Sequence, residues 1–186
     1  MPLGAARFGL LGGVEDLGKL ELIETQTVSS VTYVDFNSIQ ESTYNVHFLT
    51  ANDVHCTVDS RRFTVQLFES GVINTTDYAY AFQAGTVAGT FNERKSGSTG
   101  SLRFSATYGN ATNETGQGYM YLYNLGDISR YSFITAHSFG IDTSGNGVME
   151  FGSGFLENTT EVDGIRVQLS GDFASATFSL YGIAES

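Results

Sequence analysis

The sequence contains one cysteine, one proline and no tryptophan in 186 residues, and only nine lysines and arginines. A single thiol, Cys56, excludes an internal disulfide and equally a zinc site built on a cysteine pair. The fold must therefore be held by its core and its backbone ladders. Nine basic residues against twenty acidic ones give a formal net charge of -11. A chain so poor in clustered Lys and Arg is not suited to a phosphate backbone, so no nucleic-acid partner is expected. A long apolar run is missing as well. The most apolar stretch, MPLGAARFGLLGGVEDLGKL, is interrupted by Gly9, Gly12 and Gly13 and lacks the basic opening of a signal peptide. Neither export nor a membrane span is expected from it. Residues 1–18 read instead as a glycine-rich apolar arm, with Phe8, Leu10 and Leu11 as its docking residues on another subunit.

What is abundant belongs to β structure: ten tyrosines, fourteen phenylalanines, and twenty-two glycines to punctuate turns. No Pro-rich or charged linker divides the chain, which predicts one domain over residues 19–186. Period-two alternation recurs along it. Lys19 to Val28 reads as a first strand, Val31 to Phe36 as a second, and Ser42 to Thr50 as a third with Tyr44, Val46 and Phe48 on one face and His47 facing solvent. RRFTVQLFES, then Tyr78, Tyr80 and Phe82, then Leu102, Phe104 and Ala106 mark further strands. Tyr119, Tyr121 and Tyr123 share a face of GYMYLYN, as a strand covered on both sides or at a subunit contact would have them. Tyr131 with Phe133, and Val148 to Leu156 after the turn TSGNG, follow. Asn92–Ser101, NERKSGSTGS, reads as a loop that carries Arg94 and Lys95 toward a neighbour, and Asn110–Gly118 as a second loop. Gly164–Ile183, GIRVQLSGDFASATFSLYGI, alternates on both sides of a Gly-Asp pair and predicts a closing hairpin, without which the core stays open. About ten strands and no amphipathic helix give an all-β antiparallel sandwich, jelly-roll-like, with an extended N-terminal arm.

Candidate chemistry is sparse. His47, His55 and His137 lie in different segments and share no ligand spacing, so no metal and no cofactor is expected. His55 adjoins Cys56, but neighbours on a strand point to opposite faces, so the thiol is read as a small apolar residue. DTSGNG, with Asp142, Ser144 and Asn146, opens like a calcium loop. It then places Ser153 where a bidentate glutamate is needed, and Asn-Gly reads as a hairpin turn. Asn74, Asn110, Asn113 and Asn158 stand in Asn-x-Thr sequons and are read as turn residues. Pairs such as Glu150 with Glu157, or Glu161 with Asp163, have no spacing that marks a glycosidase. Tyr78, Tyr80, Tyr119, Tyr121 and Tyr123 are candidates for a sugar-stacking platform, though the lack of tryptophan argues for a sheet interface.

The run of strands from GKLELIETQTV through YNVHF, RRFTVQLFES and GYMYLYN to FASATFSLYGI resembles small β-sandwich virion proteins of tailed bacteriophages. The likeness covers nearly the whole chain from Gly18, and its most distinctive motifs are YLYN and ATFSLYGI. It implies a non-enzymatic virion protein assembled in the host bacterial cytoplasm: a capsid decoration or cement protein on the major capsid protein, as a homotrimer. The alternative it implies is a tail-fibre or receptor-binding module that reads host-surface glycans through the two loops. The interface residues expected on this basis are Phe8, Leu10, Leu11, Tyr119, Tyr121, Arg94 and Lys95. A closed ring of copies would remove exposed sheet edges.

Overall fold

The computed structural model describes residues 19–184, and among these there is no helix. Alternating residues build twelve strands: β1 (Leu20–Val28), β2 (Val31–Phe36), β3 (Val46–Cys56), β4 (Phe63–Glu69), β5 (Val72–Ile73), β6 (Tyr78–Thr86), β7 (Phe91–Thr99), β8 (Leu102–Arg103), β9 (Gly116–Tyr123), β10 (Phe133–Ile141), β11 (Gly147–Leu156) and β12 (Val162–Ile183). They form one antiparallel sheet in the order β5-β4-β12-β3-β9-β10-β11-β6-β7, with β1 and β2 added to β12 and β8 to β4. The all-β, sandwich-like architecture expected from the alternation is found, with twelve strands in place of about ten.

The sheet curls until its ends meet. β8 pairs with β4 near one end, yet Arg103 of β8 donates to Glu150 of β11 near the other at 2.7 Å. Leu67 N of β4 likewise donates to the Tyr78 hydroxyl of β6 at 2.8 Å. The curl turns one phase of each strand inward, where Phe36, Phe63, Phe104, Phe173, Phe178 and Met120 are fully buried in one contiguous core. Removing these rings from water is the main term favouring the fold, on the order of 2 kcal/mol for each large side chain.

Residues 164–183 do not form a hairpin. β12 is one strand of 22 residues, and each half has both edges occupied by other strands. Ile165–Gln168 lies between β2 and β4, whereas the stretch from Ala176 to Gly182 lies between β1 and β3. Neither half has an edge left for the other. Gly171, at φ 140°, and the register shifts around Phe173 bend the strand instead. A Gly-Asp pair marks that bend in the sequence as strongly as it would mark a turn.

Three further expectations are corrected. Asn92–Ser101 is not a loop: β7 takes most of it as an edge strand on β6, with Arg94 opposite Phe82 and Lys95 opposite Ala81. Its residues are nearly all exposed, so no apolar phase betrays it. The strand expected over Leu102 to Ala106 is only the two residues of β8, although Phe104 and Ala106 remain buried. β3 runs to Cys56, past the polar Asn52-Asp53, because Asp53 adopts φ 49° at a break in the register with β9. Its faces are also opposite to those expected. His47, Leu49 and Ala51 point into the core and Val46, Phe48 and Thr50 outward, since both phases of this strand are apolar. Phe8, Leu10 and Leu11 lie outside the described residues.

Candidate functional site

Paired residues in an antiparallel ladder share a face, so the register gives the outward surface row by row. One row runs Tyr181, Phe48, Tyr121, Thr135, Ser153, Ala81 across β12, β3, β9, β10, β11 and β6. The next runs Ser179, Thr50, Tyr119, His137, Phe151, Gln83. Gln117, Phe139, Met149 and Gly85 flank it on one side, and on the other side of the first row lie Val46, Tyr123, Phe133, Phe155 and Ala79. No Asp, Glu, Lys or Arg occurs at any of these positions, on a chain whose formal charge is -11. The face is also far from covered: Phe139 is 47% exposed, Phe151 45% and Tyr119 40%.

A groove of about 320 Å³ is set into this face. Phe48, Thr50 and Asn52 of β3, Gln117 and Tyr119 of β9, and His137 and Phe139 of β10 line it. Phe48 is braced from three sides, with ring centroids 4.7 Å from Tyr121, 5.9 Å from Tyr119 and 6.2 Å from Tyr181. Tyr119 meets His137 edge-on at 5.7 Å, and His137 in turn meets Phe151 at 6.2 Å. Rings held by rings lose little freedom when something is laid on them. Two carboxamides, Asn52 and Gln117, and the hydroxyl of Thr50 supply donors and acceptors beside them. The arrangement suits a flat, uncharged, hydroxyl-bearing ligand.

The five tyrosines considered together in the sequence are split by the curl. Tyr119, Tyr121 and Tyr123 lie on the outward face, whereas Tyr78 is fully buried and donates its hydroxyl to Asn74 O. Arg94 and Lys95 are exposed on β7, where Lys95 pairs with Glu93 at 2.9 Å. Phe48, Asn52, Gln117, His137 and Phe139 were not singled out as site residues by the sequence. The available signal was the phase of β9 and β10: Gln117-x-Tyr-x-Tyr-x-Tyr123 and Phe133-x-Thr-x-His-x-Phe139 each hold four uncharged residues on the side away from Met120, Ile134 and Ala136.

The other candidates fall into structural roles. His47 is buried, not solvent-facing: its Nε2–H donates to Ile39 O at 2.7 Å, Nδ1 has no partner, and burial lowers its pKa below the usual 6.5. His55 Nε2 donates to Asn110 O at 2.9 Å. Cys56 is buried opposite Phe173 of β12, and that burial pushes its thiol up to about 11, well away from the thiolate. Among the described residues no three His, Cys, Asp or Glu side chains converge as metal ligands. Asp142 Oδ1 is occupied by the amides of Ser144 and Asn146, both at 2.9 Å, as a hairpin turn requires. Asn74 and Asn158 each accept the amide two residues on, from Thr76 and Thr160, which is the turn role read for these sequons.

No family model matches the chain, and no curated protein matches it. Among solved structures it is similar to the CBM2 module of the evolved Dit of Lactobacillus casei BL23 phage J-1, with 14% identity and a TM-score of 0.32 over 87% of this chain and 69% of that one. A likeness that slight carries no inference about fold or ligand.

Proposed function

We propose that the protein is a non-enzymatic, receptor-binding module of a tailed-phage virion that recognises neutral glycans of the host surface. The observation that carries this reading is the groove in the uncharged sheet face, where Phe48, Tyr119 and Phe139 stand beside the carboxamides of Asn52 and Gln117. Sugar rings present an apolar C–H face that stacks on aromatic rings, and hydroxyls that carboxamides can both donate to and accept from. The absence of charged side chains from the rows between β12 and β6, with Lys95 and Glu93 only at the β7 edge, favours neutral over anionic sugars. The recognition surface in this reading is the sheet itself, not the loops expected from the sequence. The virion assignment rests on the YLYN and ATFSLYGI resemblance.

Binding to an array of neutral bacterial glycans tests the reading. Tyr119→Ala is expected to weaken the best ligand about 10-fold, the worth of one good stacking contact. Silence across the array, or equal binding by the variant, would overturn it. Capsid decoration is a second reading, favoured by Phe91, Phe133, Phe139 and Phe151, each more than two-fifths exposed, since phenylalanine at such levels suits protein contacts. Copy number in purified virions separates the two: hundreds of copies fit decoration, a handful fit a tail module.

A further inference from the structure

We propose that the cleft around Arg61 and Arg62, at the start of β4, binds the phosphate of a small phosphorylated polyol or sugar. Ser60, Arg61, Arg62, Thr64, Gln168 and Ser170 line a cleft of about 380 Å³, with Leu169 as its one apolar residue and no carboxylate among them. One wall of it is set by the register. Gln168 of β12 is opposite Thr64 of β4, and Thr64 is opposite Arg103 of β8, so the three share one row. Arg61 is fixed through its backbone, which exchanges two hydrogen bonds with buried Tyr108, at 3.1 and 2.8 Å. Gly171, at the bend of β12, lies close to its Nε.

What sets these two arginines apart is their lack of a counter-charge. Among the described residues Lys95, Arg103, Arg130 and Arg166 each pair with a carboxylate, whereas Arg61 and Arg62 form no ion pair, in a chain with twenty acidic residues to nine basic. Arg61 Nε is also buried without a hydrogen-bond partner. Asp59 and Asp172 are the nearest carboxylates along the chain. Asp59 accepts the amide of Asn110 at 2.9 Å, and neither aspartate lines the cleft. A buried N–H that nothing in the chain satisfies, beside an exposed guanidinium, is a place for an acceptor from outside. The adjoining cleft, which shares Ser60, holds Arg94 and Arg103 but carries its own carboxylates, Glu150 and Asp142.

The chemistry of the lining selects the ligand. Two guanidinium groups offer planar forks to an oxyanion, and three hydroxyls and a carboxamide around them match the further oxygens of a phosphate. The volume exceeds that of a phosphate, so a carrier fits beside it, and with Leu169 alone apolar that carrier is hydroxyl-bearing. A net charge of -11 repels long polyanions, which restricts the ligand to a small phosphate ester. No residue of the cleft belongs to the aromatic groove, so this site does not rest on the glycan reading.

The test is titration of the full chain with glycerol phosphate, followed by NMR of the arginine Nε–H groups. The Arg61 and Arg62 resonances are expected to shift saturably, and inorganic phosphate to bind several-fold more weakly. Arg62→Gln, at an exposed position and checked by circular dichroism to be folded, should weaken binding about 10-fold. Arg62→Lys should weaken it less, because it keeps the charge and loses only the fork. Lys95→Gln removes a positive charge elsewhere and should change nothing. No saturable shift, an equal loss in Lys95→Gln, or equal affinity for inorganic phosphate, which would mean an adventitious ion only, would overturn the proposal. Neutral-glycan binding is expected to survive Arg62→Gln, and phosphate-ester binding to survive Tyr119→Ala, so the two readings fail separately.

Discussion

Arg166 on β12 holds both carboxylate oxygens of Asp35 on β2, Nε to Oδ1 and Nη2 to Oδ2, each at 2.6 Å. The two residues are directly opposed in the ladder, and the guanidinium lies 3.8 Å above the Tyr33 ring. The pair is four-fifths buried on both sides. It pins β2 to the N-terminal half of β12, next to the bend.

Arg166→Lys keeps the charge but loses both the fork and the stacking plane. Lysine offers a point charge to one oxygen and a rounded ammonium to the ring. The expected cost is about 1 kcal/mol in urea unfolding, with the m-value unchanged. A variant as stable as the parent would show that the fork contributes nothing beyond charge.

The Arg103–Glu150 pair is the opposite case, since both side chains are almost wholly buried where the curl brings β8 onto β11. Burial, with Arg62 and Arg94 nearby, lowers the Arg103 pKa to about 10, so it stays charged at neutral pH. Glu150→Ala leaves that charge without its partner and is expected to cost about 3–5 kcal/mol. Replacing both, Arg103→Met with Glu150→Leu, should recover most of the loss. If the double variant is no better than the single one, the pair is needed for more than mutual neutralisation.

His47 gives the fold a pH dependence. Its folded pKa lies below the ordinary 6.5 because burial penalises the imidazolium. Between the two values the unfolded chain binds more protons, so stability is complete above about pH 6.5 and declines as the pH falls toward the folded value. Thermal melts of His47→Leu should start lower at pH 7.5, because the Ile39 bond is gone, yet fall less between pH 6.5 and 5. Parallel pH slopes in the two proteins would remove His47 as the source.

Ending the chain at Thr177 removes Phe178 and Leu180 from the core, together with the β12 partners of both β1 and β3. Loss of cooperative unfolding and of dispersed amide resonances is expected. A folded, soluble truncation would show that β12 is dispensable to the sheet.

These outcomes bear on what the sequence made legible. Strands whose two phases differ in polarity were read correctly: β2 was placed residue for residue, and β9 follows Tyr119, Tyr121 and Tyr123 as expected. Two misreadings fall where the phases match, whereas Leu102–Ala106 alternates cleanly and still pairs over only two residues. β3 is apolar on both sides, so His47 was turned outward, and β7 is polar on both, so it read as a loop. β12 was misread for another reason, because whether two alternating segments pair with each other or with other strands is decided by which edges are vacant. The groove depends on register across β3, β9 and β10. A single sequence gives each strand's phase but not its neighbours in a sheet where β3 sits beside β9.

The long path of β12 has a consequence during synthesis on the ribosome. β1, β2, β3 and β4 all complete their ladders on β12, which is made more than ninety residues after β4, and bonds such as Thr25 to Ser179 close over 154 residues. At roughly 5–20 residues per second these four strands wait on the order of ten seconds with open edges. By contrast β9, β10 and β11, consecutive strands that pair with one another, can close their ladders as they emerge. Slowing translation within residues 162–183 should raise the aggregated fraction without changing the stability of the molecules that do fold.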